Sequence, residues 1–147
     1  MEATGTARLA IDLTNTEQVD INNNTFYLTD NSGITNNKES STPFTYNKDI
    51  FISENTFYLY TDEKKALVAV QLFGGNNLVV KDNIIRYMYS TVTTGKNGIY
   101  INNTDNTYIG SDKLYIKNNI VRMGGSGNAI KIVTTDDDIV QDGNITA

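Results

Sequence analysis

One short kernel recurs five times along the chain, and it leaves few folds open. The segments are Val19–Leu28 (VDINNNTFYL), Ile50–Leu59 (IFISENTFYL), Leu78–Tyr87 (LVVKDNIIRY), Leu114–Met123 (LYIKNNIVRM) and Ile139–Ala147 (IVQDGNITA). Their common form is apolar-x-apolar-x-x-Asn-x-apolar. The shared asparagines, Asn24, Asn55, Asn83, Asn119 and Asn144, lie 31, 28, 36 and 25 residues apart. A constant kernel with variable spacing is the mark of stacked repeats whose connecting loops differ in length.

A second apolar alternation precedes most kernels, at Leu9–Leu13, Val68–Leu72, Ile99–Ile101 and Ile130–Ile132. Alternation with period two is the pattern of a strand with one buried face. Before Ile50 the pattern is weak. The nearest equivalent is Ser41–Tyr46, which holds the only proline, and a distorted strand is expected there. No apolar series runs for three turns at helical spacing. Asparagine is the most telling component, because it is poor in helix interiors and takes left-handed backbone at low cost.

These features predict an all-β chain, a right-handed parallel β-helix of about five coils with an asparagine ladder, forming a single domain over residues 1–147. The competing arrangement, an antiparallel sandwich, would prefer Asn-Gly or Asp-Gly hairpins rather than a repeat of roughly 30 residues. Three inward stacks are expected: Val19, Ile50, Leu78, Leu114 and Ile139; then Ile21, Ile52, Val80, Ile116 and Gln141; then Phe26, Phe57, Ile85 and Val121. The ladder asparagines are expected to take the left-handed backbone and to hydrogen-bond to one another along the axis. The last kernel stops in mid-coil with no polar cap, so either the chain is a fragment of a longer one or a partner continues the stack.

The kernels LYIKNNIVRM and ISENTFYLY, following GIYINN and ALVAVQL, resemble the repeats of the pectate-lyase-like parallel β-helix superfamily over about residues 7–147. That resemblance implies the fold. It also implies a choice among polysaccharide lyases, glycoside hydrolases, epimerases and bacteriophage tailspikes or appendages, since one fold hosts many functions. The polygalacturonase motifs of the superfamily include a histidine, and this chain has none. Only Asp136–Asp138 is reminiscent of them, and it reads as a solvated turn with calcium binding as the lesser alternative. No other cofactor or metal is implied.

Stacking in register defines the candidate sites. Glu54 and Asp82 both precede the ladder asparagine and should lie one coil apart, a spacing that resembles the carboxylate pair of retaining glycosidases. They are the candidates for catalysis, against the plainer reading that stacked exposed positions bring charges together. Tyr27, Tyr58, Arg86 and Arg122 share the position three after the asparagine and should form an outward ligand-binding ladder. Phe51, Val79, Tyr115 and Val140, with Asp20, share an outward position that is apolar in four of five coils, which is expected of a subunit interface. Other tyrosines at outward positions or in loops are Tyr60, Tyr89, Tyr100 and Tyr108. The polar stretch 29–48 reads as the longest loop, and Lys96–Gly98 and Gly124–Gly127 read as turns.

Composition closes several functional classes. The chain has no cysteine and no histidine, so disulfide frameworks, Cys₂His₂ zinc sites and histidine-dependent hydrolysis are out of reach. A net charge of −5 argues against nucleic acid as a partner. No segment approaches a membrane span, and the start lacks a basic, apolar leader. The chain therefore stays where it is made, leaves by cell lysis, or is an excised piece. The favoured expectation is a structural or receptor-binding module of a phage tailspike or surface fibre, on a virion or extracellular surface. It would be a homotrimer and would contact host polysaccharide or neighbouring virion proteins without catalysis. The alternatives are a polysaccharide-degrading enzyme, lyase or glycoside hydrolase, and a bacterial adhesin-type domain.

Overall fold

The computed structural model describes residues 8–13, 16–29, 31–36, 47–60, 68–73, 76–88, 96–103, 114–124, 127–134 and 139–147. Fifteen strands run through them, and no helix is found among the described residues. Three five-stranded sheets result. The first holds β1 (Arg8–Asp12), β4 (Asn31–Thr35), β7 (Val68–Leu72), β10 (Asn97–Asn103) and β13 (Asn128–Thr134). The second holds β2 (Glu17–Asn22), β5 (Lys48–Ser53), β8 (Asn76–Lys81), β11 (Leu114–Lys117) and β14 (Ile139–Asp142). The third holds β3 (Thr25–Thr29), β6 (Thr56–Tyr60), β9 (Ile84–Tyr87), β12 (Ile120–Arg122) and β15 (Ile145–Thr146). Each strand pairs in parallel with the strand three places further along the chain. The chain thus visits the three sheets in turn and begins again one layer up, which is a parallel β-helix of five coils.

The register follows the kernels. Val19, Ile50, Leu78, Leu114 and Ile139 are successive partners in the second sheet, as are Ile21, Ile52, Val80, Ile116 and Gln141. Phe26, Phe57, Ile85 and Val121 follow one another in the third. Ile50, Ile52, Phe57, Val80, Ile85, Ile116 and Val121 have no exposed surface. Each such side chain contributes about 1.5–3 kcal/mol by leaving water. Phe26 and Phe57 stack with ring centroids 4.7 Å apart and planes at 7°, the separation the strand spacing imposes.

The corner between the second and third sheets is where the ladder forms. The backbone N–H and side-chain Nδ2 of Asn24 both donate to Oδ1 of Asn55, at 3.0 and 3.1 Å. Asn55 donates likewise to Asn83, Asn83 to Asn119, and Asn119 to Asn144, all within 3.1 Å. The second Nδ2 proton reaches back to a carbonyl of the preceding coil: Asn55 to Ile21, Asn83 to Ile52, Asn119 to Val80 and Asn144 to Ile116. Asn55, Asn83 and Asn119 are fully buried, and this network leaves their amides no unmet donor or acceptor.

Three local expectations are corrected. The left-handed residue is the one before the ladder asparagine, not the asparagine itself: Asn23, Glu54, Asp82, Asn118 and Gly143 have φ of 55, 56, 55, 53 and 64°. The single left-handed residue turns the chain sharply, while the next residue stays free to point its amide inward. The first-sheet strand of the second coil is Asn31–Thr35, ahead of the proline-containing stretch 41–46, which lies outside the described residues. Residues 29–48 are therefore not one loop. Its sole large apolar side chain, Ile34, is fully buried between Ile11 and Val70 in the register. Finally, Asn97 and Gly98 open strand β10 rather than a turn. A Cβ on Gly98 would collide with the Ala129 carbonyl oxygen and Val121 Cγ1, so the glycine serves close packing.

Candidate functional site

The turn at the ladder corner decides which side chains of the third sheet point outward. After Asn24, Asn55, Asn83 and Asn119 the chain resumes extended backbone, and alternate residues face solvent. Tyr27 pairs with Tyr58, Tyr58 with Arg86, and Arg86 with Arg122, so the four residues form one outward column across four coils. Tyr27 is 69% exposed, Tyr58 is half-buried, and both arginines are exposed. The tyrosine rings stack at 5.3 Å and 15°. Each ring covers one face of the other, so the column offers phenol hydroxyls and ring edges as well as guanidinium groups. Beside it run Thr25, Thr56, Ile84, Ile120 and Ile145, the last 60% exposed.

Glu54 and Asp82 sit on the corner itself, in adjacent coils, both exposed and both in the left-handed turn. Asn23, Asn118 and Gly143 occupy the same turn position in other coils, so backbone geometry accounts for Asp82 in this row, though not for Glu54. Asp82 has Lys81 Nζ at 3.9 Å, with both side chains more than a third exposed, a contact worth little in water. Asp136–Asp138 lie outside the described residues.

Phe51, Val79, Tyr115 and Val140 are successive partners on the outer face of the second sheet, with Asp20 at the head of the row. Phe51 is 36% and Val140 39% exposed, while Val79 and Tyr115 are half-buried. Lys117 lies over the Tyr115 ring with Nζ 5.1 Å from its centroid. In the first sheet Lys131 lies over Tyr100 in the same way, at 5.6 Å. Tyr60 is half-buried, and Tyr89 and Tyr108 lie outside the described residues.

Tyr87 follows the column but points inward. Its hydroxyl donates to the Asn97 carbonyl at 3.0 Å, and burial pushes the phenol well above the usual tyrosine range. A concavity of about 630 Å³ is lined by residues of the last coil, among them Gln141, Asp142 and Asn144. Asp142 is its sole ionisable side chain. Among the described residues, no group of three or more acidic residues is placed to hold a metal ion. No helix there is long and apolar enough to cross a membrane.

One property of the third sheet escaped the sequence reading. The chain has 17 acidic residues, yet none lies in β3, β6, β9, β12 or β15. The signal was present in the kernels, where the three or four positions after the asparagine never hold Asp or Glu. It gains meaning only once the strands are known to share a face. Comparison of the chain with protein-family models, with curated proteins and with solved structures found no match.

Proposed function

We propose that this chain is a structural, receptor-binding β-helix module of a phage tailspike or similar surface fibre, which holds host glycan along the outer face of its third sheet. The observation that carries the reading is the Tyr27–Tyr58–Arg86–Arg122 column. It is a continuous row of aromatic and hydrogen-bonding groups on a scaffold whose coil spacing of about 4.8 Å is set by the backbone. Sugar chains present hydroxyls and apolar ring edges in repeating units, and a rigid row of phenol and guanidinium groups matches both. The module sits on a virion or other extracellular surface. Three copies pack through the Phe51, Val79, Tyr115 and Val140 row, which would otherwise expose apolar side chains on an outer face.

The second reading is a polysaccharide depolymerase in which Glu54 and Asp82 act as the carboxylate pair. Their adjacency in neighbouring coils favours it. The place of Asp82 in a turn whose geometry already selects Asn, Asp and Gly weighs against it.

Host capsule or wall polysaccharide separates the two readings. The binding module retains the polymer without raising the concentration of reducing ends or unsaturated products, and Tyr58→Ala weakens retention at least tenfold. Cleavage by the unaltered protein, lost in the Glu54→Gln, Asp82→Asn double variant, would establish the depolymerase instead.

A further inference from the structure

We infer that the polymer held by the third sheet is polyanionic, with successive carboxylate or phosphodiester groups seated on Arg86 and Arg122. This rests on the reading of that face as the glycan surface and adds the chemical class. Arg86 and Arg122 are direct partners in adjacent parallel strands, and both are exposed. Like charges placed directly opposite each other weaken a sheet. Here neither arginine has an ion-pair partner among the described residues, whereas the exposed Lys48 and Lys81 each have an aspartate at 3.9 Å.

The surroundings point the same way. A chain of net charge −5 keeps every strand of this sheet free of Asp and Glu. Among the described residues the strands of this face carry two exposed guanidinium groups and no carboxylate, so it is a cationic strip on an acidic molecule and draws anions. Guanidinium groups suit the task because their planar fork meets the two oxygens of a carboxylate or phosphate together. Two of them one coil apart call for anionic groups repeated along a chain rather than a single small anion. Tyr58, next in the column, offers a hydroxyl to the sugar or polyol between charges.

The test measures binding of the whole chain to four immobilised polymers: polygalacturonate, poly(glycerol phosphate), neutral dextran and single-stranded DNA. The inference expects polygalacturonate, poly(glycerol phosphate) or both to bind at low salt, at least tenfold more tightly than dextran. The Arg86→Gln, Arg122→Gln double variant should lose at least tenfold, while Lys48→Gln with Lys81→Gln changes affinity less than twofold. Which of the two anionic polymers binds identifies carboxylate or phosphodiester as the source. Dextran binding at equal strength, unaffected by the arginine variant, would overturn the anionic class and leave the glycan surface standing. Binding to none of the four would overturn both. Preferential binding of the DNA would replace the glycan with a nucleic acid.

Discussion

Each interior asparagine of the ladder satisfies its neighbours as well as itself, so the effect of losing one depends on its depth. Asn83→Ala strands the Asn55 backbone N–H and one Nδ2 proton without their acceptor in a buried corner. Each orphaned group costs roughly 1–3 kcal/mol, and a loss of about 3–5 kcal/mol is expected in urea unfolding. Asn24 is exposed, and Asn24→Ala should cost only about 1 kcal/mol. Equal losses at the two positions would show that the ladder does not carry stability through its buried amides. Tyr87 yields a pH prediction. Its phenol holds its proton more tightly folded than unfolded, so its contribution is complete below the ordinary tyrosine value of 10.0 and is lost as pH rises beyond it. Stability should fall by up to about 1.4 kcal/mol per pH unit above pH 10. Tyr87→Phe should flatten that slope while costing about 1 kcal/mol at neutral pH for the bond to the Asn97 carbonyl.

Among the elements, the strands differ in how plainly their residues declare them. β5 and β8 each carry three consecutive large apolar residues at a fixed distance before a ladder asparagine, and their registers are read directly from the chain. β4 escapes such reading because NSGIT contains one large apolar residue and a glycine. That glycine is fitted to its neighbour, since a Cβ on Gly33 would collide with the Ala69 carbonyl oxygen. Close backbone approach of this kind depends on the next coil, which local sequence does not reveal. The same cause hid the start of β10, whose Ile99–Ile101 alternation is plain but whose Asn97–Gly98 looks like a turn and instead packs under Ala129 and Val121. Gly98→Ala should lower stability by about 1–3 kcal/mol in thermal unfolding, as overpacking does. An unchanged midpoint would mean that the coils can move apart at no cost. The left-handed position was misplaced by one residue because Asn suits both the turn and the ladder, and the two are adjacent in Asn23–Asn24 and Asn118–Asn119. The Tyr27–Tyr58–Arg86–Arg122 column is legible in register from the alignment of the kernels. Its chemical character is not, since the absence of acids is a property of a face and not of any one segment.

For the molecule as a whole, the outer faces carry different chemistry on one frame: a cationic, acid-free third sheet and an apolar row on the second. If that row joins three copies, sedimentation should give three times the 16.3 kDa chain mass, and Val79→Arg with Tyr115→Arg should give the single-chain mass without loss of β structure. A single-chain mass for the unaltered protein would remove the trimer. The ladder also has a consequence for length. The backbone N–H and one Nδ2 proton of each interior ladder asparagine donate forward to the Oδ1 of the next coil, while the other Nδ2 proton donates back to a carbonyl of the preceding coil, so each interior layer presents the same donors and acceptors to its two neighbours. At the ladder corner the layers are therefore interchangeable tiles under simple translation. A duplicated tile, such as residues 56–83 repeated after Asn83, should slot in without altering its neighbours. The solenoid could then be lengthened, and its outward column extended, by copying one segment rather than inventing a new interface.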